Sequence, residues 1–338
     1  MEGNEIMKKL INDVDNVVNE MLNGMTAAYP QYIERVPGTD VVIRTGAKKT
    51  DKVVLISGGG SGHEPAHGGY VGKGMLDAAV AGAVFTSPTP DQVYEAIHAA
   101  ECGKGALLII KNYTGDVMNF EMAGEMASDE DILVDQVIVA DDVAVENSTW
   151  TTGRRGIAGT VFVHKIAGAC AETGADLPEV KRVAEKVIAN VRSMGMAVSP
   201  CTVPAVGKPG FDLAEDEVEI GIGIHGEPGT HREKITPVNN TADHLVGKIL
   251  DEGIYAEGDE VAVMVNGMGA TPLSELFIAN LRVNEILTEK KIKIYKTLVG
   301  NYMTSLDMAG FSVTLLKLDD ELKAFLDAPA DTPAYKEV

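Results

Sequence analysis

The chain of 338 residues is long enough for two domains with proper cores, and 45% hydrophobic with 23% charged residues is ordinary for a globular protein. Twenty-nine lysines and arginines against 50 acidic residues give a formal net charge of −21, which excludes binding along a nucleic-acid backbone. Three distant cysteines, Cys102, Cys170 and Cys201, exclude a disulfide framework, and no stretch is apolar over a bilayer's length, so a reducing cytoplasmic setting without a membrane partner is expected.

In chain order, the N-terminus "MEGNEIMKKLINDV" is acidic and amphipathic, without the apolar core of a signal peptide. "KVVLIS" (52–57) predicts a buried strand leading into a glycine loop, Gly58 to His63. Thr89-Pro90-Asp91-Gln92 has the form of a capping box opening the helix "DQVYEAIHAAE". "GALLIIKNY" (105–113) and "DQVIVADD" (135–142) are further strands. "GIAGTVFVHKIAGACAETG" and "LPEVKRVAEKVIANVRSM" predict helices, the second entered through Asp176 with Glu179 three residues on. Residues 193–217 hold three prolines, three glycines and no periodicity, as an interdomain connection would. Beyond them "VEIGIGI" (218–224), "DEVAVMVNG" (259–267), "KIKIYKTLVG" (291–300) and "FSVTLLKL" (311–318) predict strands, with a helix from Pro272 behind the N-cap candidate Thr271. The expectation is two α/β domains, residues 1–192 and 193–338, each a sheet with flanking helices, the first sheet largely parallel.

One segment raises a sharp question of chemistry. His63-Glu64-Pro65-Ala66-His67 matches the H-E-x-x-H zinc pattern, which needs both histidines on one helix. Pro65 biases Glu64 away from helical torsions and glycines bracket the string, so no metal site is expected here. The glycine loop lacks the G-K-[ST] of a phosphate-binding loop and the final glycine of a nucleophile elbow. Its amides suit a bound hydroxyl or anion. Ser87 precedes the first capped helix without being needed for it. Lys111 and Asp116 follow a strand as a proton-transfer or Schiff-base pair would, or as a snorkelling lysine and a capping aspartate. His225, between Gly223 and Gly226 after an alternating strand, has little steric cover and suits nucleophilic or acid–base work. His98, His164, His231 and His244 stand in helical or charged stretches and suggest structural or solvated roles.

Taken together, "ISGGGSGHEPAHGGYVGKGMLDAAVAG", "VFTSPTPDQ", "LLIIKNYTGDVMNFEMA", "GRRGIAGTVFVHKIAG", "CTVPAVGKPGFDLAEDEVEIGIGIHGEPG", "NGMGATPLSELFI" and "SLDMAGFSVTLLKLDD" resemble the sugar-binding subunit of the dihydroxyacetone kinase family. The likeness runs in order from near residue 7 to about residue 322. It implies a two-domain α/β subunit, a homodimer, that binds dihydroxyacetone. It implies that His225 attacks the ketone and holds it as a hemiaminal, and that His63 and Asp116 form the acid–base pair. Gly60, Ser61, Ser87 and Lys111 match positions that bind the sugar hydroxyls.

Single-chain, ATP-dependent members carry a further all-helical domain, whereas this chain ends at Val338 with the short helix and tail "ELKAFLDAPADTPAYKEV". The resemblance therefore implies no cofactor here: ADP/ATP and magnesium are expected on a helical partner subunit, recharged by a phosphocarrier of the phosphoenolpyruvate-dependent phosphotransferase system. Two alternatives accompany this reading. One is a kinase subunit for a related ketose such as erythrulose. The other is a dihydroxyacetone-sensing co-regulator, against which the joint presence of His63 and Asp116 argues.

Overall fold

The computed structural model describes residues 8–46, 51–146 and 152–338; the first part of the N-terminal amphipathic stretch, residues 1–7, lies outside them. After helix α1 (Val17–Ala28), six strands form the first sheet: β1 (Ile33–Arg35), β2 (Val41–Arg44), β3 (Val54–Ser61), β4 (Ala78–Val84), β5 (Ala106–Lys111) and β6 (Val134–Val139). Their order is β1-β2-β4-β3-β5-β6, parallel from β4 to β6, with β2 antiparallel to β4 at the other edge. Helices α2 (Pro90–Ala100) and α3 (Thr114–Ser128) cover one face.

Helices α4 (Thr160–Glu172) and α5 (Leu177–Asn190) cover the other face, and a second sheet lies against their far side. That sheet runs β11-β10-β12-β7-β8-β9 and is antiparallel except between β10 and β11. Its strands are β7 (Val191–Ser199), β8 (Glu217–Ile220), β9 (His231–Lys234), β10 (Glu260–Gly267), β11 (Lys293–Gly300) and β12 (Ala309–Leu318). Alternation on the strands sorts the two cores: Ala262 and Met264 of β10 join the α4–α5 layer. Val261, Val263 and Val265 pack instead with α6 (Val238–Leu250) and α7 (Leu273–Glu289). Helix α4, caught between two sheets, buries every residue from Thr160 to Ala171. Among the described residues no helix is long and apolar enough to cross a membrane.

The structure corrects several local expectations. Gly58, Gly59 and Gly60 belong to β3, not to a loop, because parallel pairing with Val80, Ala81 and Gly82 continues the ladder through them. Residues 193–199, expected in a connection, form most of β7, a strand paired on both sides by β12 and β8. Both of its faces are covered, which erases the alternation that betrays a half-exposed strand. The strand at 217 stops at Ile220, where the chain turns back so that the Thr230 amide donates to the Ile220 carbonyl. Asp176 caps α5 by accepting from the Glu179 amide at 3.0 Å, as expected. The box before α2 is not made: Thr89 gives no side-chain cap, and Gln92 accepts from the Asp40 amide at 2.8 Å. Thr271 likewise bonds to Gly310 of β12 and leaves α7 uncapped by a side chain.

Candidate functional site

Strands β3, β4 and β5 run parallel, so their carboxyl ends open on one edge of the first sheet, where ligands bind in such folds. Gly60 is the next-to-last residue of β3, Phe85 to Ser87 follow β4, and Tyr113 to Asp116 follow β5. From the second sheet, the turn between β8 and β9 brings His225, Gly226, Glu227 and Pro228 over these ends. Together they line a cleft of about 590 Å³. The sequence-predicted residues Gly60, Ser87, Asp116 and His225 all meet there.

Gly60 is fixed by close approach: a Cβ on it would stand 2.6 Å from the Thr86 amide nitrogen. At Gly59 (φ +150°) a side chain would run into the Lys111 ammonium and stand 3.4 Å from Asp116 Oδ2. These glycines let backbone and charged groups crowd around the cleft.

His225 is oriented by its own turn. Its Nδ1 lies 2.9 Å from Glu227 Oε1, and its amide donates to Glu227 Oε2 at 2.9 Å. A carboxylate only accepts, so Nδ1 carries the proton of this bond, and it is the neutral form of the ring that presents a lone pair at Nε2. Burial disfavours the Glu227 anion, but His225 and Arg155 outweigh it and hold the pKa at about 2. Arg155 is fully buried, pairs with Asp142 at 2.7 Å and donates to the Gly221 carbonyl at 2.7 Å, pinning the turn from below. The rings of Phe85, Tyr113 and His63 surround His225 edge-on at 5.2, 4.6 and 4.7 Å.

His63 is completely buried and donates from Nδ1 to the Thr304 carbonyl at 2.8 Å, leaving Nε2 without a partner. Burial, then the charges of His225 and Lys111, hold its pKa well below the ordinary histidine value. A neutral ring with a free lone pair can accept a proton. Phe85 stacks on it at 5.2 Å from a left-handed backbone (φ +57°), a conformation costly for a bulky residue.

Lys111 does not snorkel. It is fully buried, not part of the cleft wall, and donates to the Gly58 carbonyl at 3.2 Å and to His67 Nε2 at 3.1 Å while pairing with Asp116 at 3.6 Å. Burial lowers its pKa, and Asp116 works against that shift. Ser61 is also outside the cleft wall: its hydroxyl donates to the Gly82 carbonyl at 2.7 Å. The H-E-x-x-H string is split among three settings. His63 bonds Thr304, Glu64 accepts from the Gly62 amide, and His67 Nδ1 meets His164 Nε2 at 3.0 Å.

Sequence reasoning missed Glu227, Tyr113, Phe85 and Arg155. Glu227 had a signal, a carboxylate two residues past an uncrowded histidine. The others had none, since their roles depend on contacts across the chain.

Residues 23–334 match the Dak1 domain family. The chain is 58% identical over 330 residues to PTS-dependent dihydroxyacetone kinase 1, dihydroxyacetone-binding subunit DhaK, of Listeria innocua, covering 97% of this chain and 100% of that one. Its structure is similar to that of the dihydroxyacetone kinase operon co-activator Dha-DhaQ, with 37% identity, a TM-score of 0.89, and coverage of 96% and 99%. It is also similar to the dihydroxyacetone kinase of C. freundii, with 36% identity, a TM-score of 0.88, and coverage of 98% of this chain and 61% of that one.

Proposed function

The chain belongs to the Dak1 family and is a dihydroxyacetone-binding subunit of a dihydroxyacetone kinase, a phosphotransferase; we propose that it holds the ketose covalently on His225 for phosphorylation by a nucleotide on another subunit. The observation that carries the covalent step is the Glu227–His225 bond, which leaves Nε2 as a nucleophile in the cleft.

The Nε2 lone pair adds to the ketone carbon as the C=O π pair moves to oxygen. The Glu227 carboxylate balances the charge that develops on the imidazolium. The alkoxide takes up a proton and Nδ1 gives one up, leaving a neutral hemiaminal. Asp116 on the opposite wall accepts the proton of the terminal hydroxyl as that oxygen attacks phosphorus. Lys111 keeps the Asp116 carboxylate in place, and His63, neutral and unpartnered at Nε2, relays protons beside His225. The covalent bond fixes the hydroxyl for attack, a proximity effect worth several kcal/mol in principle.

A helical partner subunit would hold ADP/ATP and magnesium, the ATP supplying the phosphoryl group, and a phosphocarrier would recharge the resulting ADP in the cytoplasm. A homodimer fits the exposed apolar row Leu273, Phe277, Ile278 and Leu281 on α7, surface of the kind that subunits cover. The second reading is a sensor, favoured by the likeness to the co-activator; Asp116 paired with a buried lysine at the cleft argues for transfer instead. One assay separates them. Phosphate transfer to dihydroxyacetone and erythrulose is measured with the helical partner and phosphocarrier, and absence of transfer to either ketose sinks the kinase reading.

A further inference from the structure

Directly after the His225 turn, three side chains that the mechanism does not use converge. His231 and Glu233 stand two residues apart on the edge strand β9 and so share a face, and His244 reaches toward them from α6. Among the described residues this is the group whose metal-ligating atoms all lie within 4.8 Å of one another. The two imidazole rings are 5.6 Å apart.

Hydrogen bonding orients the His231 ring. The Thr230 hydroxyl lies 3.2 Å from the Ile220 carbonyl and 2.9 Å from His231 Nδ1. With the hydroxyl donating to Ile220, Nδ1 donates to its oxygen, and Nε2 faces Glu233 Oε2 at 3.3 Å. A proton or a metal ion between these two atoms satisfies both. His244 adds a third donor to the same space. The cations nearby are engaged elsewhere: Arg232 alternates to the opposite face and pairs with Glu219 at 2.8 Å, and Lys234 pairs with Asp216 at 2.6 Å.

We propose that His231, Glu233 and His244 form a binding site for a divalent transition-metal ion of the zinc class. Two imidazole nitrogens and one carboxylate oxygen suit zinc, cobalt or nickel, whereas magnesium and calcium favour all-oxygen sets. The Thr230 hydroxyl plays the outer-shell part, holding the ring by its other nitrogen. A net charge of −21 draws cations to the surface. A bound ion ties the edge strand that follows the His225 turn to α6, bracing the outgoing end of that turn. The site stands apart from the cleft and does not rest on the kinase reading.

The test is titration of metal-stripped full-length protein with cobalt, read by its visible d–d absorption, and with zinc by calorimetry near neutral pH. Binding of about one ion per chain is expected, and loss of a ligand in His244→Ala or Glu233→Gln should weaken it about tenfold or more. Zinc should raise the melting temperature of the wild type and not of His244→Ala, while circular dichroism confirms that both are folded. His225→Ala should bind as the wild type does. Equal affinity in wild type, His244→Ala and Glu233→Gln overturns the proposal, and so does no binding to the wild type, which would leave a shared proton between His231 and Glu233.

Discussion

Two histidines whose rings lie 4.7 Å apart, His225 in the cleft wall and His63 buried behind it, show how one fold builds two kinds of imidazole. His63, at the end of β3, is sealed in the sheet, bonded to a backbone carbonyl, and held neutral by burial. His225, on a turn of the second sheet, keeps part of its side chain open and is backed by a carboxylate. The sheet end thus presents rigid groups whose charge is suppressed or paired, the acid–base groups of the proposed mechanism. On the proposed mechanism, the turn supplies an accessible nucleophile with an anion behind it. A site that must both bond a ketone and move a proton gains from dividing these demands between two elements.

The sharpest break of this comparison is His225→Ala. Intact mass spectrometry of wild type with dihydroxyacetone should show the full ketose mass with no water lost, since an imidazole adduct cannot dehydrate to a neutral imine. The adduct should vanish in His225→Ala and be absent with glycerol, which has no carbonyl. Borohydride trapping on Lys111, with His225→Ala unaffected, would transfer the nucleophile to the sheet end. The hydrogen bonds from Lys111 to Gly58 and His67 and its pairing with Asp116 oppose that outcome.

Asp116→Asn should keep the adduct and lose turnover by about 10²–10⁴, the usual range for a general base. Retained turnover would remove the sheet end from proton transfer.

Legibility from sequence differed between the two regions for a physical reason. The parallel strands β3 and β5 announced themselves as apolar runs, and Lys111 ends one of them with Asp116 a few residues on. The acid–base end was therefore visible locally, although the fate of the Lys111 ammonium was not: a lysine at a strand's end looks exposed until the second layer of helices is known. β7 was invisible because both its faces are buried. The His225 turn was misplaced as a strand because "GIGI" alternates, while the bonds that fold it back lie with Glu227 and Thr230. Arg155 and Phe85 reach the site only through the tertiary fold.

Glu227→Gln tests the anion behind His225. The carboxyl's pKa in the fold, about 2, lies below its ordinary value of 4.5, so the anion stabilises the fold above pH 4.5 and loses that contribution as pH falls through 2. The difference amounts to about 3 kcal/mol at one pKa unit per 1.36 kcal/mol. Acid denaturation of the wild type should show this slope between those values, and Glu227→Gln should flatten it. The same variant should form the adduct about tenfold more weakly, the loss of one charge-assisted hydrogen bond. An unchanged acid limb together with unchanged adduct formation would deny Glu227 its part.

The smallest effect is expected deepest in the sheet end, at His67. The Lys111 ammonium has no acceptor capacity, so it must donate to His67 Nε2 at 3.1 Å. His67 then carries its proton on Nδ1 and donates to His164 Nε2 at 3.0 Å. Burial, then Lys111 and His164, hold the His67 pKa well below normal, in keeping with this neutral tautomer. Glutamine can reproduce the pattern, its carbonyl accepting from Lys111 and its amide donating to His164. His67→Gln should therefore stay close to wild-type turnover. His67→Leu strands a buried donor on Lys111 and should cost about 1–3 kcal/mol of stability. It should also let Lys111 swing from Asp116, lowering kcat while adduct formation on His225 persists. Thermal denaturation with single-turnover kinetics separates the two variants. If His67→Leu lost stability but kept full kcat, His67 would be packing alone, and the orientation of Asp116 would come from Lys111 and the Gly58 carbonyl without it.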